Sequence, residues 1–247
     1  MWHVETAADA TSTWRYFRRW GMTWIDLGNP HPKAAPEQYV PLQWEVGDIC
    51  PLPSAQGISG RPFSEVLDAR ASQREFGLID DKELGALLWV ACRTRGAGAS
   101  NLGFDLEHRA APSAGAIHPI HIVLKRPGDD RWWLYEPRTH HLVELRHAAE
   151  KLAGLFEHSR QVLEGADATR ILFLAEPSKT LCKYQDGCSL VWRDAGALLA
   201  VIALAATALE LTFCPLGITG EPWASSLADQ GKLTGVGLAL LGSSTRA

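Results

Sequence analysis

The chain lacks the features that mark several large classes of protein. It has no long run of charge of one sign and its net charge is −4, so nothing in it points to a nucleic-acid partner. Its N-terminus, "MWHVETAADATSTWRYF", has no basic patch followed by an apolar run, and so does not read as a signal peptide. Cysteines number only five, an odd count spread from Cys50 to Cys214. A secreted disulfide framework is denser and even-numbered, so a reducing cytoplasm is expected. No CxxC is present, and the Cys182/Cys188 spacing has no second half-site, so no zinc centre is expected. The histidines do not supply one either. On a strand, His118 and His121 would point to opposite faces.

Other absences narrow the chemistry. There is no GxSxG elbow for a serine nucleophile. A GxGxxG look-alike begins at Gly96 and Gly98 but has Asn101 where the third glycine belongs, and it follows a helix rather than a strand. No internal repeat or low-complexity segment occurs. The longest apolar run, "AGALLAVIALAATALELTF", carries only about 15 uncharged residues between Asp194 and Glu210, short of the roughly 20 that a membrane span needs. A buried core or interface helix is expected there, and no membrane association.

The 247 residues, 46% hydrophobic and 21% charged, suffice for a core that needs no covalent staple. Residues 1–60, rich in proline and holding Trp2, Trp14, Trp20, Trp24 and Trp44, read as an irregular arm that could hold one short helix. Regular structure is expected from "SEVLDARASQREF", with Ser64 as N-cap, and then in "DDKELGALLWVACRT", capped by Asp80 or Asp81. "RGAGASNLG" reads as a loop. "IHIVLK", "RWWLYEP" and "HLVEL", separated by turn-rich "RPGDD" and "PRTHH", predict a meander of strands. "AAEKLAGLFEH" predicts a helix, "TRILFLAE" a buried strand, the run from Asp194 a long helix, and "GVGLALLGS" a last strand. Helices and strands mix without strict βαβ alternation, which predicts an α+β domain.

Two stretches suit an anionic, flat-ringed ligand. Arg70, Ser72 and Arg74 offer planar guanidinium forks and a hydroxyl matched to a phosphate. "APSAGAIHPIHIVL" sets tiny side chains between prolines just ahead of a strand, a backbone that a ring edge could approach closely. Read alone, the first is a solvated helix face and the second a tight turn. In "CKYQDGC", Lys183 would alone pass for a surface charge and Tyr184 for ordinary packing.

Taken in order, Arg70-x-Ser72-x-Arg74, "PSAGAIHP", Lys183-Tyr184 and "DAGALLAVIALAATALELTFCPLG" make the chain resemble the nitroreductase-like flavoproteins. Within them it resembles the SagB-type azoline dehydrogenases that form thiazoles and oxazoles, over roughly residues 50 to 242. The resemblance implies an α+β nitroreductase-like fold, a central, mostly antiparallel sheet flanked by helices, and a homodimer with FMN at the interface. Residues 61–247 would form the FMN-binding domain, and the long apolar helix would be the interface helix. Arg70, Ser72 and Arg74 would take the FMN phosphate, with Arg246 as a further ligand. Pro112, Ser113, Ala114 and Gly115 would lie along the isoalloxazine, and the turn with Leu216 and Gly217 would close over it. Lys183 and Tyr184 would be catalytic.

The reaction implied is aromatisation of a peptide- or carrier-bound azoline, with a cyclodehydratase or synthetase complex as possible partner. An NAD(P)H-dependent nitro- or quinone reductase and an inactive scaffold subunit are the alternatives. The chain departs from that branch at Gln185–Cys188 and at Asp194–Ala197, both near the implied substrate pocket.

Overall fold

The computed structural model describes residues 27–55, 61–229 and 231–245. The first 26 residues of the arm, with Trp2, Trp14, Trp20 and Trp24, and the expected phosphate ligand Arg246 lie outside the described residues.

The strands are β1 (His31–Pro32), β2 (Val46–Pro51), β3 (Gly96–Gly98), β4 (Leu106–His108), β5 (Ile120–Lys125), β6 (Trp132–Glu136), β7 (His141–Leu145), β8 (Thr169–Ala175), β9 (Tyr184–Gln185), β10 (Thr212–Leu216) and β11 (Thr234–Gly242). The helices are α1 (Phe63–Ala69), α2 (Asp81–Ala91), α3 (Ala148–Lys151), α4 (Ala153–Val162), α5 (Pro177–Leu181) and α6 (Cys188–Ala208). Seven strands form one sheet in the order β10-β11-β8-β5-β6-β7-β2, every neighbouring pair antiparallel. The fold is α+β, a central antiparallel sheet flanked by helices.

The period of two along a strand explains how one sheet serves two cores. In β8, Ile171, Phe173 and Ala175 join the cluster under α2 and α6, while Leu172 and Leu174 join the cluster on the opposite face with Leu152 and Leu155. Every residue of β8 is buried, and after Thr169 and Arg170 the stretch from Ile171 to Ala175 reads as an unbroken apolar run. The predicted meander is present as β5, β6 and β7, and the last strand as β11.

Four details differ from the sequence reading. Val46–Pro51, expected in an irregular arm, forms the edge strand β2 by pairing with its neighbour β7. Gly96–Gly98, expected in a loop, pairs with Leu106–His108. Pro62 rather than Ser64 occupies the N-cap of α1, with no side-chain cap bond. α6 starts at Cys188, six residues before the expected Asp194, because Trp192 and Arg193 continue its helical register without a breaker. Asp80 caps α2 in a reciprocal capping box with Glu83.

By length and composition α6 could cross a membrane. It packs instead on α2 and the sheet, with Ile202 and Ala206 fully buried. Its other side is open: Trp192 is 47% exposed, and Gly196 and Ala200 are exposed beside it.

Candidate active site

The arginine segment leaves α1 abruptly. Arg70 is the C-cap, with ψ at 115°, and throws the chain into an extended path. The Gln73 N–H then donates to the Phe213 carbonyl at 3.3 Å, fastening that path to β10. A cleft of about 680 Å³ results. Arg61, Arg70, Ser72 and Glu210 are among its polar lining, and Leu199, Ala203, Phe213 and Pro215 among its apolar lining. Arg74 sits outside that lining, close enough to Cys214 for its charge to act on the thiol. Leu216 ends β10 just beyond Pro215, Gly217 follows it, and neither lines the cleft.

The loop Pro112–Gly115 is held from α6. Ser113 Oγ donates to Asp194 Oδ2 at 2.5 Å, and the Ala114 N–H donates to Asp194 Oδ1 at 3.1 Å. Ser113 Oγ in turn accepts the His118 N–H at 2.9 Å. Burial pushes the Asp194 carboxyl above the ordinary aspartate range, against the opposing pull of Ser113 and the Ala114 amide. The backbone needs this hold. Gly115, Ala116 and His118 all adopt left-handed φ values, of 63°, 58° and 50°, and two of the three carry a Cβ that resists that region.

Lys183 and Tyr184 arrive from the end of α5. Tyr184 and Gln185 form β9, which pairs with β1, and the Lys33 N–H donates to the Lys183 carbonyl at 2.8 Å. This brings both side chains onto the loop. A Cβ added at Gly115 would stand 2.7 Å from Lys183 Nζ and 2.9 Å from Tyr184 Oη. Glycine at 115 is thus favoured twice, by its positive φ and by the two tips that crowd the place of a Cβ.

The structure gathers the proposed site residues into two groups. Gly115, on the loop that Asp194 holds through Ser113 and Ala114, meets Lys183 and Tyr184, while Arg70 and Ser72 face a separate cleft. The groups use different sides of α6: Asp194 and Leu198 turn to the loop, and Leu199, Ala200 and Ala203 to the cleft.

The model described as Nitroreductase family matches residues 67–230. The chain belongs to the Nitroreductase family. Among solved structures, this nitroreductase-family chain is similar to a putative nitroreductase from Ralstonia eutropha JMP134. The TM-score is 0.60 at 20% identity, over 86% of this chain and 99% of that one. It is similar to a putative nitroreductase from Anabaena variabilis, with TM-score 0.57 at 19% identity, over 83% of this chain and 40% of that longer one. A chain of the E. coli microcin synthetase McbBCD complex, solved with truncated pro-MccB17 bound, gives a TM-score of 0.52 at 14% identity, over 96% of this chain and 93% of that one. These are likenesses of fold. Comparison with curated proteins gives no match.

Sequence reasoning missed the role of Asp194, visible only as the first residue of an expected helix. It also missed Glu107 and Glu176. Glu107 accepts from Thr94 and from both Arg109 and Arg138. Burial alone would raise its carboxyl, but Arg109, Thr94 and Arg138 together hold it down at about 2. Glu176 accepts from the Tyr39 hydroxyl at 2.7 Å and the Leu42 N–H at 2.6 Å, with His121 Nε2 at 2.9 Å. Neither hub has a local sequence signal, since their partners come from distant parts of the chain.

Proposed function

We propose that this nitroreductase-family protein is an FMN-dependent dehydrogenase that aromatises an azoline, or a related ring derived from an amino acid, with dioxygen as terminal acceptor. The observation that carries this reading is the convergence of Lys183 Nζ and Tyr184 Oη on Gly115. A base and a hydroxyl there stand beside a loop stripped of side-chain bulk.

The residues fit FMN. Arg70 and Ser72, which line the cleft, would hold its phosphate together with Arg74. Pro112 to Gly115 would lie along the ring, and a side chain at 115 would fill the space that the ring edge and the two tips share. Leu216 and Gly217 would close from the other side, and Arg246 would add a phosphate contact. FMN would accept the hydride that leaves the substrate ring.

The chain's own residues do the rest. Lys183 takes the proton from the ring carbon α to the peptide carbonyl, so that hydride and proton together account for the two hydrogens lost. Tyr184 orients the ring or passes that proton on. Asp194 keeps Ser113 and Ala114 fixed while this happens.

One chain separates the cleft from the loop, so a complete site requires two copies, each contributing one group. The open apolar side of α6, with Trp192, Gly196 and Ala200, suits the second copy. The fold likeness to a chain of the E. coli microcin synthetase complex supports a place in a synthetase assembly with a peptide- or carrier-bound substrate.

The experiment is an absorbance spectrum with the flavin identified, followed by mass spectrometry for a two-hydrogen loss on azoline peptides. Lys183→Ala should keep FMN and lose roughly 10²- to 10⁴-fold in turnover. Near-normal turnover would mean another base. Rapid bleaching by NADPH with no peptide present would favour a nitro- or quinone reductase, and a colourless protein that takes up no FMN would favour an inactive scaffold.

A further inference from the structure

His118 ends the loop that Lys183 and Tyr184 approach, and its backbone is held where two local preferences oppose it. Its φ of 50° is left-handed, a region that resists residues with a Cβ. It also precedes Pro119, and a following proline steers a residue toward extended backbone. Such a conformation persists only where the surroundings over-determine it. Three bonds do so. The His118 N–H donates to Ser113 Oγ at 2.9 Å, and the His118 carbonyl accepts from Lys179 Nζ at 3.3 Å. Ring atom Nε2 lies 2.9 Å from the Glu107 carbonyl oxygen. A carbonyl only accepts, so Nε2 carries the proton.

These bonds close the loop and fasten it. Ser113 and His118 are its two feet, joined by the first bond, and the Ala116 N–H donates to the Ser113 carbonyl at 3.1 Å between them. Gly115 lies on the span that the feet support. Asp194 of α6 holds the Ser113 foot. The His118 foot is held twice, by β4 through the Glu107 carbonyl and by α5 through Lys179. α5, from Pro177 to Leu181, is also the helix from whose end Lys183 and Tyr184 come. β4 is itself secured, since the Glu107 carboxylate accepts from Thr94, Arg109 and Arg138. Burial pushes the imidazole down to about 4, so near neutral pH it adds no charge beside Lys183 and acts through its N–H.

We propose that His118 is a positioning residue: its imidazole, anchored on the Glu107 carbonyl, sets Gly115 against Lys183 Nζ and Tyr184 Oη. This role rests on the reading of Lys183 and Tyr184 as the catalytic pair. A misplacement of about 1 Å can slow a reaction by on the order of 10²-fold, so a loosened foot should show in the rate. Two substitutions separate positioning from support of the backbone. Glutamine carries its amide N–H as many bonds beyond Cβ as His118 carries Nε2, so it reaches the Glu107 carbonyl. Asparagine is one bond shorter and falls short of it. Backbone preference runs the other way, because asparagine accepts a left-handed φ more readily than glutamine does.

Pulse acetylation with acetic anhydride, read by mass spectrometry, gauges the setting of the Lys183 amine, with exposed Lys151 as internal reference. Relative to Lys151, Lys183 should react several-fold faster in His118→Asn, where the loop draws back from it, and at the unaltered rate in His118→Gln. Turnover of an azoline peptide by the flavin-loaded protein should show the same order. In His118→Asn, kcat should fall roughly tenfold while KM stays within about twofold, and His118→Gln should recover most of the loss. Both measurements are made well below the melting midpoints, so the rates report geometry rather than the folded fraction. Should His118→Asn fail to fold, His118→Gly, which relieves the left-handed φ and also lacks the N–H, takes its place. Unchanged Lys183 labelling in His118→Asn, an equal effect in His118→Gln, or a loss confined to KM would overturn the proposal. Acetylation needs neither flavin nor substrate, so it decides whether His118 sets Lys183 even if the unaltered chain aromatises no azoline. That failure would count against the proposed reaction alone.

Discussion

Ser113 on the loop and Asp194 on the central helix, 81 residues apart in the chain, share a hydrogen bond of 2.5 Å. The same carboxylate also takes the Ala114 amide. Asp194→Ala should leave both half-buried donors without this partner, at a cost of roughly 1–2 kcal/mol in chemical denaturation. It should also weaken FMN retention, because the loop loses its one anchor on α6. A variant that keeps wild-type stability and cofactor content would remove Asp194 from that role.

Gly115→Ala separates stability from function. The left-handed φ costs about 1 kcal/mol for a residue with a Cβ, and the flexible Lys183 tip can move aside from the new methyl group. That displacement is the point: turnover should fall at least tenfold while the thermal midpoint drops only a few degrees. Steady-state kinetics set beside a melting curve checks it. An active, equally stable variant would show that the convergence on Gly115 has no bearing on catalysis.

Arg70→Ala tests the phosphate end of the cleft. Loss of a charge-assisted hydrogen bond is worth about 1.5–3 kcal/mol, so the FMN dissociation constant should rise roughly 10- to 150-fold with the fold intact. Fluorescence titration of the flavin-free protein measures this, and an unchanged constant would place the phosphate elsewhere.

Glu107 sets an acid limit. Its folded pKa of about 2 lies below the ordinary 4.5, so the unfolded chain binds its proton first as pH falls. The stabilisation is therefore complete above about pH 4.5 and is lost as pH falls toward 2, by about 3 kcal/mol in all. Urea denaturation across that window should show a shallower pH dependence in Glu107→Gln. Parallel curves for the two proteins would contradict the assignment.

Glu176 binds the segment at Tyr39 and Leu42 to β5 through three donors, and its side chain is fully buried. Glu176→Ala should cost on the order of 3 kcal/mol. Limited proteolysis should then cut within residues 33–45, where the unaltered chain resists.

Periodicity alone made the meander of β5 to β7, the buried strand β8 and the core of α6 legible, because each is a local pattern of side chains facing one layer. Asp80 was readable as a cap for the same reason. The residue order Arg-x-Ser-x-Arg, PSAG and Lys-Tyr carried the family by resemblance, which the family match then bore out at the level of the nitroreductase fold. Tertiary structure alone decided the rest. Val46–Pro51 became a strand because a partner from the far end of the meander lay open to it. Lys183 and Tyr184 reached Gly115 because β9 pairs with β1, and Asp194 became an anchor because α6 passes beneath the loop. A hydrogen bond or a convergence of tips is a property of distance, and distances between remote segments are set only when both sides of the sheet have closed over their cores.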